Sequence, residues 1–177
     1  GSDMICSQSY DGSAGPLNPN NYLVTPQVTL VNGSTFSFWA AAQDASYAAE
    51  HFGVGVSDDG TNFTMVQEWT LTAKEGPKGS RGMNAMGNYH QYTVDLSAYA
   101  GQKYIAIRHF NCTDMFYIDV DDVELSVGTK GGRAVVYEPH FVTDPGAMSN
   151  GADASWTKNG QGTWGPNCND GANYKIL

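Results

Sequence analysis

Along residues 1–125, apolar and polar positions alternate with a period of two in short runs, the spacing of strands that bury one face. "NNYLVTPQVTL" (residues 20–30) and "STFSFWAAA" (residues 34–42) flank Asn32-Gly33, and this pattern predicts a hairpin. Residues 51–57 and 63–72 flank Asp59-Gly60 and predict a second antiparallel pair. Strands are expected at 89–95, 103–110 and "FYIDVDDVEL" (116–125), and the aperiodic Gly/Lys-rich stretch 75–88 reads as an exposed loop. No segment carries a convincing helical period, so the expectation is an all-β protein, a jelly-roll β-sandwich. On that reading Trp39 and Trp69 lie in strand patterns as core residues.

After Leu125 the texture changes. "SVGTKGG" is a linker of small residues, "RAVVYEPHFV" offers one more strand, and from Asp144 onward Gly, Asn, Asp and Trp predominate, as in loops. The organisation is thus 1–127 as most of a sandwich, 128–133 as a linker, and 134–177 as a strand with a Gly/Asn/Trp loop.

Charge narrows the partners. Lys+Arg number 9 against Asp+Glu 18, a net charge of -9, so there is no basic surface for nucleic acid. Neither a long apolar run nor a basic-then-apolar leader is present, so the expectation is no membrane span and no retained signal peptide. The three cysteines, Cys6, Cys112 and Cys168, allow at most one intrachain disulfide and leave at least one thiol. Asn32, Asn62 and Asn111 head N-x-[ST] patterns that matter only in a eukaryotic secreted protein.

Candidate chemistry concentrates in "FYIDVDDVEL". Calcium takes six to eight oxygen ligands, and an Asp-rich strand beside Asp- and Asn-rich loops suits it. On a regular strand Asp119 and Asp121 share one face and Asp122 takes the other, so all three meet one ion only if a bulge intervenes. The alternative is that these carboxylates decorate a solvated sheet face. In "QDASYAAEH", Asp44, Glu50 and His51 form a second cluster, but His90, His109 and His140 show no zinc-ligand spacing, which argues against a zinc enzyme. There Asp44 as a loop cap and His51 packed on the sheet compete with a metal role. Asp121 with Glu138 could also be drawn as a glycosidase pair, although calcium-bound carboxylates make poor acids. Trp156 and Trp164, with Tyr47, Tyr89 and Tyr174, fall in or near loops, where they either stack on sugars or pin the loop to the sandwich. Lys78 and Arg81 sit in the expected exposed loop, and Arg108 is placed to pair with a neighbouring Asp.

Taken in order, "NNYLVTPQV", "FSFWAAAQDASYAAEHFGVGVS" and "YTVDLSAYAGQKYIAIRHFNCTDMFYIDVDDVEL" resemble the cleaved adhesin domains of the gingipain and haemagglutinin polyproteins of oral Bacteroidetes. The resemblance runs from about Cys6 to Leu125. It implies a jelly roll similar to carbohydrate-binding modules, structural calcium, and non-catalytic adhesion by a secreted or cell-surface protein toward host proteins or cell-surface glycans. It further implies Asp121 as first ligand, joined by Glu138, Asn159, Gln161 and Asp44, with Asp119 and Asp122 nearby. Where the family has an acidic DxDGDG-like loop this chain has "TKNGQG", so amides replace carboxylates. Trp164, Tyr47 and Arg81 are the candidate ligand-binding residues, and a carbohydrate-binding module of a larger enzyme is the alternative function. The family's opening elements resemble "VVYEPHFV" and "ASWTKNGQGTW", which here come last. Residues 134–177 therefore either complete the same sandwich in permuted order or begin a further repeat, giving a monomer or a tail-swapped dimer.

Overall fold

The computed structural model describes residues 5–12, 14–72 and 89–128 in full, and the backbone of 135–137, 157–161 and 164–165. Its strands are β1 (Ile5–Gln8), β2 (Tyr10–Asp11), β3 (Gly15–Pro16), β4 (Asn20–Val24), β5 (Val28–Leu30), β6 (Thr35–Ala42), β7 (His51–Ser57) and β8 (Thr64–Thr70). They continue with β9 (His90–Asp95), β10 (Gly101–Phe110), β11 (Tyr117–Val127), β12 (Val135–Tyr137), β13 (Thr157–Gln161) and β14 (Trp164–Gly165). A short 3-10 turn, Ala45–Tyr47, is the helical element among the described residues.

Two six-stranded antiparallel sheets make a β-sandwich of the jelly-roll type. The first runs β14-β1-β11-β6-β9, with β12 also on β11; the second runs β13-β4-β10-β7-β8, with β5 also on β10. Each sheet is organised by one long strand. β11 meets β1 through its first half and β12 through its second, while β10 meets β4 and β5 in the same divided way. The break between β4 and β5 falls at Pro26, which has no N–H to donate, and Thr25 bridges it: its N–H donates to Ile105 O and its Oγ1 accepts from Ile105 N.

Alternation decides what is buried. Phe36, Phe38, Ala40, Ile118 and Val120 from the first sheet face Leu23, Phe52, Val54, Ile105 and Ile107 from the second in one core. Phe38, Phe52, Trp69 and Tyr92 form an aromatic knot within it, with Trp69 stacked on Phe52 at 5.4 Å and partly buried as the sequence suggests. Trp39 differs: it falls between Phe38 and Ala40 on the opposite, outer face of β6, half-buried and outside the core.

The expected pairing of β7 with β8 is present, His51 opposite Thr70. The hairpin expected around Asn32-Gly33 is not. β4 and β5 pair with β10, whereas β6 pairs with β11 and β9, so this turn carries the chain from one sheet to the other. Gly33 adopts φ +87 there, and Gly128 packs so close that a Cβ on it would lie 2.7 Å from Asn32 O. The expected loop at 75–88 lies outside the described residues. No helix among the described residues is long and apolar enough to cross a membrane.

Candidate functional site

β11 is regular as far as Asp121 and then slips. Asp119 sits opposite Cys6 on one side and Ala41 on the other, Asp121 sits opposite Trp39, and the register shifts between Asp121 and Glu124. Asp122 occupies the shift at φ +47, exposed, and its N–H donates to Asp121 Oδ1 at 2.8 Å. Core positions change phase across it, from Ile118 and Val120 to Val123 and Leu125. Asp119 and Asp121 therefore share the outer face. Asp119 is nonetheless wholly withdrawn from water, Cys6 beside it is buried, and the same face carries the buried Tyr117 and Gln43. Burial, then the charges of Asp11 and Asp119, hold the Tyr117 phenol above its ordinary pKa.

The other expected ligands are dispersed. Asp44 caps the 3-10 turn, its Oδ1 accepting from Ser46 N at 2.7 Å. The backbone of Asn159 and Gln161 lies in β13, opposite Tyr22 and Asn20 in the second sheet. Glu138 and Arg81 lie outside the described residues. Trp164 is placed by its backbone opposite Ser7 of β1, and Tyr47 is the exposed large hydrophobic residue among those described, 54% accessible. Arg108 pairs with an amide, not an Asp: its Nε and Nη2 both donate to Asn20 Oδ1, and its guanidinium lies over Phe110 and Tyr22. His51 is partly exposed, contacts Thr70 Oγ1 and Glu68 Oε2, and meets the Phe110 ring edge-on.

The described residues do contain one converging set of ligand-type side chains, Glu50, His109 and Cys112. His109 keeps the inward phase of Ile105 and Ile107 on β10, which puts an imidazole at a core position, fully buried. Its Nε2 lies 2.9 Å from Glu50 Oε2 and 3.1 Å from Cys112 Sγ, and its Nδ1 lies 2.7 Å from Ser7 Oγ. Ser7 Oγ in turn accepts from Asn21 Nδ2, while Glu50 Oε1 accepts from Ser9 Oγ and Phe116 N, each at 2.8 Å. Burial, reinforced by Glu50, pushes the Cys112 thiol up to about 12. Cys6 is disulfide-bonded and Cys112 free, within the limits set by the cysteine count. The signal for this network was a histidine in the apolar phase of a strand: such a position requires buried partners. Elsewhere, Gln67, Trp69, His90, Gln91, Tyr92 and Thr93 line a groove of about 250 Å³ between the edge strands β8 and β9.

Comparison with known proteins places these features. Residues 1–125 match the family model described as Cleaved Adhesin Domain. Haemagglutinin A of Porphyromonas gingivalis strain W83 is 44% identical over 160 residues, 86% of this chain and 7% of that protein. Lys-gingipain W83 is 47% identical over 131 residues, 70% of this chain and 7% of that protein. The chain thus spans less than a tenth of these relatives. The crystal structure of the K1 cleaved adhesin domain of Lys-gingipain superposes with a TM-score of 0.61 at 47% identity, covering 71% of this chain and 75% of that one. The K3 domain of the same protein gives 0.60 at 45% identity, covering 71% and 72%.

Proposed function

Because the chain belongs to the cleaved adhesin domain family, we propose that it is a non-catalytic, calcium-stabilised adhesin module of a secreted or cell-surface protein, binding host proteins or cell-surface glycans. The observation that carries the calcium reading is the outer face of β11. Alternation sets Asp119, which is buried, and Asp121 on that one face, two carboxylates supplied by a single strand. Oxygen donors of this kind fit calcium, which would supply charge compensation and no reaction chemistry. Asp122 sits in the register shift between the inward Val120 and Val123, so the bulge on which its joining the other two depends is present.

Residues 134–177 complete the same sandwich in this reading. The pairings of β12 with β11, β13 with β4 and β14 with β1 support it, since each covers a strand edge of the 1–127 body. Adhesion would use exposed loop side chains at the sandwich rim, with Tyr47 the anchor that exposure favours. A carbohydrate ligand is the second reading, favoured by the groove that sets Trp69 and Tyr92 among Gln67 and Gln91.

Thermal unfolding in calcium and in chelator, with molecular size measured alongside, tests the module. The expected result is a compact monomer whose midpoint rises with calcium, the rise being lost in Asp121→Asn. No shift would leave the Asp cluster without a calcium role, and a dimer would mean exchange of 134–177 between chains. Screening against immobilised host surface proteins and a glycan panel separates the two ligand classes: glycan binding abolished by Gln91→Ala, with Tyr47→Ala silent, would replace the rim by the groove.

A further inference from the structure

Three donor atoms of different chemistry meet at the end of the core, brought there by separate segments: Glu50 ahead of β7, His109 within β10, and Cys112 just after it. The oxygen, nitrogen and sulfur all lie within 4.8 Å of one another. Every remaining polar atom of Glu50 and His109 is already held. Ser7, itself fixed by Asn21, takes His109 Nδ1, and Ser9 Oγ with Phe116 N takes Glu50 Oε1. Glu50 Oε2, His109 Nε2 and Cys112 Sγ are left facing a common centre. Outer partners that fix the far atom of each ligand are the arrangement by which proteins orient metal-binding side chains.

We propose that Glu50, His109 and Cys112 bind a thiophilic divalent metal ion of the zinc class. The donor set selects the metal. Sulfur and imidazole disfavour calcium and magnesium, which take oxygen, and suit zinc, whose protein ligands are thiolate, imidazole and carboxylate. One thiolate and one carboxylate also neutralise a divalent charge in a site where Glu50 and His109 are buried and Cys112 is partly exposed. That exposure offers an entry path and a fourth position for water.

Without metal, protons occupy the centre. His109 Nε2 contacts Glu50 at 2.9 Å and Cys112 at 3.1 Å, whereas a tetrahedral ion with bonds of about 2.0–2.3 Å holds its ligands roughly 3.4–3.6 Å apart. Uptake therefore needs the three atoms to spread by about half an ångström. It also needs the thiol proton to leave: the divalent ion and the Cys112 thiol give a metal–thiolate bond and one proton, so affinity rises with pH. With Nε2 on the metal, the neutral imidazole keeps its one proton on Nδ1 and donates it to Ser7 Oγ, so the thiol proton is the one released.

Cobalt, a spectroscopic stand-in for zinc, provides the test on the whole chain after treatment with chelator. The expected result is a thiolate-to-cobalt charge-transfer absorption that saturates at one ion per chain and is displaced by zinc. It is absent in Cys112→Ser and retained in His51→Ala, which removes the exposed imidazole beside Glu68. Zinc at a hundredfold excess over its Kd should raise the unfolding midpoint by about 5–10 °C, with about one proton released per ion near neutral pH. If Cys112→Ser does not fold, Ser7→Ala supplies the second arm, with metal affinity reduced about 10–100-fold. Absence of the absorption in the parent chain, its persistence in Cys112→Ser, an unchanged affinity in Ser7→Ala, or displacement of the ion by millimolar calcium would each overturn the proposal.

Discussion

Single side chains here do their work through hydrogen bonds to the backbone as much as through contacts with one another. Glu50 is the clearest case: a fully buried carboxylate takes Ser9, Phe116 N and His109 at once. Glu50→Ala would strand those donors in the core, and without added metal it should cost about 3–5 kcal/mol in urea denaturation. Glu50→Gln should cost less, because an amide keeps one acceptor oxygen. Asp59 works the same way at the surface. Its carboxylate takes the backbone N–H and side-chain amide of Asn62, Thr61 N and Ser57 Oγ, bonds that hold it well below the usual carboxylate range. A carboxyl depressed in the folded state adds stability above its ordinary pKa and gives it up only as the pH falls through the lower value. In an NMR titration the Asp59 carboxyl should stay ionised at a pH where other surface carboxylates have protonated. Titration in the ordinary range would mean that the turn bonds do not persist in solution. At this scale the sequence foretold the facing of Asp119 and Asp121 from alternation alone, but the bulge at Asp122 only as a condition. The Glu50–His109–Cys112 set left only the apolar phase of His109 as a sign, because its members are brought together by β10 and the chain leading into β7, not by spacing along the chain.

Among elements, the two-residue turns show what local signals can and cannot specify. Asp59-Gly60 does join neighbours, β7 and β8, since both flanking runs belong to one sheet. Asn32-Gly33 carries the same kind of dipeptide but changes sheets, because β10 already fills the partner side of β4 and β5 and β11 waits for β6. Turn chemistry fixes a reversal and leaves open which strands it brings together. Close approach between strands makes a sharper forecast. A Cβ on Gly53 of β7 would stand 2.6 Å from Gln67 O in β8, and that backbone atom cannot rotate away. Gly53→Ala should destabilise by about 1–3 kcal/mol in thermal or urea unfolding, through displacement of β8. Gly12→Ala, with nothing within 4 Å of the added atom, should stay within about 0.5 kcal/mol and serves as the control. Equal effects in the two variants would show that the β7–β8 contact yields without cost.

At the scale of the whole molecule, the question is what residues 129–177 contribute to a body whose described core lies within 5–128. Among the described residues, the core side chains of both sheets come from that body. The later strands add edges instead: β14 lies on β1, β13 on β4, and β12 on the second half of β11. A chain ending at Gly128 therefore keeps its apolar centre but exposes the backbone N–H and C=O groups along β1 and β4, which a second molecule can pair with. It should still fold, with a lower unfolding midpoint, and should associate with itself in a concentration-dependent way that sedimentation detects. Supplying 129–177 as a separate peptide should restore both the midpoint and the monomer. The opposite pattern, a truncated chain as stable and as monomeric as the parent, would mean that these edges are not closed in solution by the chain's own end. The segment would then belong with a neighbouring module, and "VVYEPHFV" would mark the start of a further repeat in place of the missing edge of this one.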